Sequence, residues 1–295
     1  MEQIKNKLST HFSIAEFVIE VQVPTPFRLI IDEGLSPFQI PPHQNPDLRM
    51  NYAGALADFD NAGCSLKYQA KDEGQLLWQI FQQETNWLYY CYDPKNEEKL
   101  QQIAVLDQTK QNWQVYCDES SPLKIDALAY PLLPLMLYEL TTFKNALMIH
   151  ASAVMFNHNG LLFSGVSGVG KSTLASIFEE QGAKIINDDR VIIRKKNTEF
   201  EVFNTPMYYA AEPVSCKLST IFFPTHATEN SAIQIQGANA IGQLMANTIH
   251  HAHNPGDVVH LLEVAEEICA RIPLFHLGVV PTAEIVTFIQ ELHEE

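Results

Sequence analysis

The sequence predicts an α/β chain in two parts: a small, mainly antiparallel β domain over residues 1–122, and an α/β domain over residues 123–295 built around one glycine-rich strand-to-helix turn. Three observations predict it. Up to about Asp118 the apolar residues alternate or gather in short aromatic and β-branched runs. From Ala146 onward short apolar strands alternate with segments of helical periodicity. Where one such strand meets one such helix lies the run Gly165-Val166-Ser167-Gly168-Val169-Gly170-Lys171-Ser172.

In chain order, residues 17–23, 27–31, 76–81, 87–92 and 113–116 read as strands, with polar turns such as Asp93-Pro94-Lys95-Asn96 between them. Residues 119–122 read as a linker, and 131–143 as a helix with proline in its first turn. Residues 147–156 and 161–164 form a hairpin around Asn157-His158-Asn159-Gly160. The helix after the glycine-rich run places Leu174, Ile177, Phe178 and Gln181 on one face and ends at Gly182, where a C-terminal glycine cap belongs. Residues 183–187 and 191–194 are strands flanking Asp188-Asp189. Strands at 217–223 and 274–279, helices at 239–249 and 258–270, and an amphipathic helix at 283–292 complete the domain.

Composition excludes several classes of function. With 19 Lys+Arg against 35 Asp+Glu the net charge is −16, which disfavours nucleic acid, since binding a phosphate backbone needs a dense basic surface. The most apolar stretch, residues 127–138, contains Pro131 and Pro134 and is far shorter than the ~20 residues of a membrane span, so no membrane partner is expected. The first ten residues lack the apolar run of an export signal. The five cysteines, Cys64, Cys91, Cys117, Cys216 and Cys269, are scattered and never in C-x-x-C spacing, so they read as reduced thiols of a cytoplasmic protein.

The glycine-rich run matches G-x-x-x-x-G-K-S/T. Its residue types fit the task of holding a polyphosphate. Gly165, Ser167, Gly168, Val169 and Gly170 let backbone N–H groups turn inward, the helix N-terminus adds its dipole, and Thr173 lies in the first helical turn. Lys171 neutralises β/γ charge, and Ser172 can ligate Mg²⁺. Asp188 and Asp189 follow Ser172 by 16 and 17 residues, room for one helix and one returning strand, which places two carboxylates at a strand end beside the loop. One can serve Mg²⁺ and the other can take a proton from an attacking hydroxyl; the bland alternative is a solvated Asp-Asp turn. Neighbours on an extended strand face opposite ways, so the two need not act alike. His150 lies on the strand leading toward the loop. His250, His251, His253 and His260 form a histidine-rich stretch with no cysteine or tight carboxylate spacing to complete a metal site, and read as a solvated helix end.

His150-Ala151-Ser152, residues 164–174 (SGVSGVGKSTL), Asn187-Asp188-Asp189-Arg190, the strand at 218–223 and the stretch Ile268-Cys269-Ala270-Arg271-Ile272-Pro273 together resemble the HPr kinase/phosphorylase superfamily, and more closely the HPr-kinase-related serine/threonine kinases associated with peptide-modification clusters. The resemblance begins near Ala146; the first 120 or so residues carry none. It implies a phosphoenolpyruvate-carboxykinase-like P-loop domain, ATP and Mg²⁺, and phosphoryl transfer to a Ser/Thr hydroxyl of a peptide or protein. Residue by residue it implies that the loop, with Lys171, holds the phosphates, that Ser172 and Asp189 serve the metal, that Asp188 is the proton acceptor, and that His150 approaches the γ-phosphate or acceptor. After Thr205-Pro206 this chain has Met207-Tyr208-Tyr209-Ala210-Ala211-Glu212 with no arginine, departing from the HPr kinases; Glu212 is the stand-in for their acidic residue. That departure argues against HPr as acceptor and against a reverse phosphorylase reaction. Two other functions stay open: a nucleotide-sensing protein that binds ATP without efficient catalysis, and a small-molecule phosphotransferase acting, for example, on free serine. The first domain is expected to recognise the acceptor, either with the aromatics of 87–92 pairing an extended peptide by strand addition or, equally open, with those aromatics simply forming core.

Overall fold

A computed structural model describes residues 7–207, 212–249 and 254–292. The chain divides into two compact units: among the described residues the first holds those up to Phe143 together with 254–255, and the second those from Lys144 to 249 and from Gly256 on. The division falls beyond residue 122 because the helix α1 (Leu132–Phe143) is anchored in the first unit. Its buried Glu139 accepts a hydrogen bond from the Tyr89 hydroxyl at 2.5 Å and lies 3.8 Å from the Lys110 ammonium.

The first unit contains β1 (Lys7–Ile14), β2 (Phe17–Pro24), β3 (Arg28–Leu29), β4 (Gln39–Ile40), β5 (Leu48–Gly54), β6 (Ser65–Asp72), β7 (Gln75–Gln83), β8 (Asn86–Asp93), β9 (Asn96–Leu106), β10 (Asn112–Cys117), β11 (Glu119–Ser121) and β12 (Lys124–Ile125). Nine of them form one sheet in the order β4-β1-β2-β5-β10-β9-β8-β7-β6; β11, β12 and β3 form a second. Pairing is mainly antiparallel, with β5 parallel to both its neighbours. Two expectations are corrected here. Residues 119–122 are no linker: β11 and β12 make a tight hairpin in which the Glu119 carboxylate accepts the Leu123 N–H at 2.9 Å. Nor can residues 87–92 receive an added strand, because β8 is hydrogen-bonded on both edges, to β7 and to β9, and Leu88, Tyr89 and Cys91 are buried. Of these aromatics Tyr89 is core, and Trp87, Tyr90 and Tyr92 are half-buried.

The second unit carries β13 (Ala146–Phe156), β14 (Asn159–Ser164), α2 (Lys171–Glu180), β15 (Lys184–Lys196), β16 (Glu199–Phe203), β17 (Ser215–His226), β18 (Ser231–Ile235), α3 (Gly237–Asn247), α4 (Pro255–Cys269), β19 (Leu274–Val279) and α5 (Glu284–Leu292). Its seven strands are ordered β14-β13-β15-β16-β17-β19-β18, and β14 also pairs with β17, so five of them close on themselves. The sheet is mixed: β14, β17 and β19 run parallel and the other pairs antiparallel. Asn157 and His158, both at positive φ (49° and 66°), make the expected two-residue hairpin turn. The apolar face of α2 (Leu174, Ala175, Phe178) packs with Phe163, Phe222 and the Ile285, Val286 and Ile289 stripe of α5. Gly160 sits where β14 crosses closest to β17. A Cβ there would lie 2.8 Å from both the Cys216 Sγ and the Lys217 carbonyl. Gly160→Ala is therefore expected to destabilise the unit by about 1–3 kcal/mol, since the Lys217 backbone must give way as well as the Cys216 side chain; an unchanged denaturation midpoint would refute the clash.

Candidate active site at the strand–loop–helix junction

The junction between β14 and α2 is built by local geometry. The strand ends at Ser164, six residues turn, and α2 starts at Lys171 with Gly170 as its N-cap. Gly170 has φ 98° and Gly168 φ 79°, left-handed values that a side chain resists, which is why the loop takes glycine at both. Ser172 and Thr173 are exposed on the first helical turn, as are Val166, Ser167 and Gly168 on the loop, whereas Lys171 is 7% exposed. The Lys171 ammonium donates to the Gly165 carbonyl at 2.9 Å and the Val166 carbonyl at 3.1 Å. Burial lowers its pKa, and the charges of Asp188 and Asp189 pull it back up.

Across the sheet, β13 and β15 pair with Ser152 opposite Asp188, Ala151 opposite Asp189 and His150 opposite Arg190. Ser152, like Phe163 across from it on β14 and Val154 two residues on, belongs to the face that carries α2. The fully buried Ser152 hydroxyl donates to the Asp188 Oδ1, so Asp188 projects from the same face as Lys171. The two aspartates do not stand at a strand end as expected. They lie in mid-strand, because the β13–β15 ladder runs on past them in both directions, with a register shift between Ala153 and Val154, and Asp188 meets the loop by facing α2's side of the sheet. Asn187, 1% exposed, fixes this stretch. Its amide donates to the Arg190 carbonyl (2.9 Å) and to the Thr205 hydroxyl (3.0 Å) and carbonyl (3.2 Å), and its Oδ1 accepts the Asp188 N–H (2.8 Å).

Asp189 has different partners from Asp188. Its Oδ1 lies 3.7 Å from His150 Nε2 and its Oδ2 3.4 Å from the Arg190 guanidinium. That Oδ2 is buried and accepts no hydrogen bond among the described residues, and it and the Ser172 hydroxyl, exposed at the helix start, are the hard oxygens that Mg²⁺ would take. The pKa of His150 is lowered, first by burial and then by the Lys171 charge, so the imidazole is neutral near pH 7. Glu212 is exposed; its backbone carbonyl accepts the Asn204 amide at 3.0 Å, and no bond of its carboxylate to the loop or to Asp189 is found among the described residues. His250, His251 and His253 lie outside the described residues; His260 sits 3.6 Å from Glu263 on α4. Among the described residues no group of three or more His, Cys, Asp and Glu side chains could hold a metal, and no helix is long and apolar enough to cross a membrane.

Sequence reasoning missed three contributors: Ser152 as a partner of Asp188, Asn187 as the lock on its backbone, and His226. The last ends β17, whose parallel pairing with β14 sets Phe222 opposite Phe163, and its Cε1 lies 3.8 Å from where a Cβ on Gly170 would stand. Only the parallel pairing, a long-range fact, could have signalled it.

Fold and site together define a mixed α/β unit carrying a strand–glycine loop–helix junction faced by two carboxylates. No family model matches the sequence, and no curated protein matches it. Among solved structures it is similar to the Hpr(Ser) kinase/phosphatase from Coxiella burnetii, at 10% identity and a TM-score of 0.32, over 50% of this chain and 95% of that one.

Proposed function

We propose that the chain is an ATP- and Mg²⁺-dependent kinase that transfers the γ-phosphate to a seryl or threonyl hydroxyl of a peptide or protein. One observation carries the reading: Asp188, held by Ser152 and Asn187, shares a face of the sheet with the ammonium of Lys171 at the start of α2. In this reading the glycine loop and the N-terminal amides of α2 bind the β- and γ-phosphates, and Lys171 leaves its two loop carbonyls for phosphate oxygens. Asp189 and Ser172 would hold Mg²⁺, which when bound offsets charge developing on the phosphates. The acceptor oxygen attacks the γ-phosphorus, its proton passes to Asp188 Oδ2, and the bond to the ADP oxygen breaks. His150, neutral, can orient the acceptor or a γ-oxygen through its ring N–H. Acceptor recognition falls to the first unit, whose nine-stranded sheet ends at β4 and β6.

Labelled ATP tested against peptides and proteins from neighbouring genes, with phosphoserine and phosphothreonine analysis of the product, tests the reading. ATP binding by calorimetry with no transfer to any acceptor would favour a nucleotide sensor instead. Within the kinase reading, Ser152→Ala is expected to lower kcat by about tenfold with little change in the KM for ATP, because a carboxylate losing a buried donor loses its fixed orientation, a contact worth about 1.5–3 kcal/mol. Equal losses in kcat/KM and kcat, with an intact melting transition, would agree; a change confined to KM would not.

A further inference from the structure

β14 and β17 run parallel with Phe163 opposite Phe222, so both leave the sheet at the same end. The first continues into the glycine loop; the second continues through Pro224 and Thr225 to His226. The imidazole lies near Gly170, the N-cap of α2, with Cε1 3.8 Å from where a Cβ on that residue would stand. His226 is nonetheless exposed, so its ring nitrogens are open to a ligand arriving from solvent. Its backbone is firmly held. His226 pairs with Val279, Ala227 N–H donates to the Val279 carbonyl at 3.1 Å, and Val280 N–H donates to the Asn230 Oδ1 at 2.8 Å.

We propose that His226 is a phosphate-binding residue, its imidazole N–H donating to an oxygen of the polyphosphate held by the loop. The proposal rests on the nucleotide-binding reading above and adds a contact from a third strand. The chemistry fits a phosphate better than a base or sugar. The ring lies beside the helix start, where amide N–H groups gather anions, and no cationic side chain other than Lys171 is offered by the loop itself. A neutral imidazole carries one N–H donor and a protonated one carries two, so the contact exists in either state. The backbone that carries the side chain is held by its pairing with β19, so only the side chain's own torsions need be ordered on binding.

Calorimetry on the full chain with MgATP and, separately, with inorganic tripolyphosphate decides the matter. His226→Phe keeps a planar ring and removes both nitrogens; His226→Gln keeps a donor. His226→Phe is expected to weaken both ligands about three- to tenfold, the effect of one neutral hydrogen bond, and His226→Gln to stay within about threefold of wild type. Lys171→Ala, run in parallel, reports on the loop itself. Should Lys171→Ala weaken MgATP while His226→Phe changes neither ligand, the role of His226 fails and the nucleotide reading stands. A loss for MgATP without one for tripolyphosphate assigns the ring to the nucleoside and overturns the phosphate contact. No MgATP binding by the wild type overturns both readings together.

Discussion

Replacing Lys171 by alanine is expected to weaken MgATP binding by roughly ten- to a hundredfold and to abolish measurable transfer, while leaving the fold intact. The first figure follows from the loss of one charge-assisted phosphate contact, worth about 1.5–3 kcal/mol. The second is larger because the ammonium meets more negative charge in the transition state than in the bound substrate. The side chain also has a task without ligand: it donates to the Gly165 and Val166 carbonyls and sits between the loop and the two aspartates. Alanine leaves those carbonyls to water, which an exposed loop supplies, so the thermal midpoint should move by only a few degrees. Lys171→Arg is expected to rescue little. A planar guanidinium is wider than the ammonium and cannot reach both carbonyls from the first residue of α2 without moving the loop. Calorimetry and labelled transfer check each part, and an ATP affinity unchanged in Lys171→Ala would remove the loop from the site.

What was legible in the sequence was what is local. The β13–β14 hairpin, the glycine loop and α2 with its Gly182 end all depend on residues within a few positions of one another, and each lies where turn chemistry and helical period place it. What was not legible depends on pairing across the chain. β9 begins Asn-Glu-Glu-Lys and β6 carries mostly polar residues, so neither announces a strand; they are strands because β8 and β7 offer hydrogen bonds beside them. The run Trp87-Leu88-Tyr89-Tyr90 has the same composition whether it lies at an edge or in the middle, and its central place is set by the hairpins it makes on both sides, with β7 before it and β9 after it. The aspartates show the same limit. Their distance from the loop in sequence was readable, but their place in mid-strand comes from thirteen residues of β15 running along β13. Ser152 was read only as part of the His150-Ala151-Ser152 run and His226 carries no motif, and they matter through Asp188 opposite one and Gly170 near the other.

Asp188→Asn is the substitution that separates a kinase from a sensor. An alcohol is a poor nucleophile until its proton has somewhere to go, and a positioned carboxylate contributes about 10²–10⁴ in rate. Asparagine keeps the shape of the side chain, and its Oδ1 can still accept the Ser152 hydroxyl, so the β13–β15 ladder and the Asn187 lock should survive. What it loses is basicity and one negative charge beside Lys171. The lost charge lessens repulsion of the incoming triphosphate, which offsets any weakening of the metal's surroundings. The expected result is a fall in kcat of about a hundredfold or more with ATP affinity changed by less than about tenfold. Asp189→Asn should differ in kind. Removing the carboxylate between His150 and Arg190 leaves the proton acceptor in place and raises the Mg²⁺ concentration needed for half-maximal rate. A sensor needs neither proton transfer nor a fixed base, so it would show no rate to lose and would bind ATP alike in both variants. Full transfer activity in Asp188→Asn would mean that the proton leaves by another route, with the buried Ser152–Asp188 pair serving the fold alone.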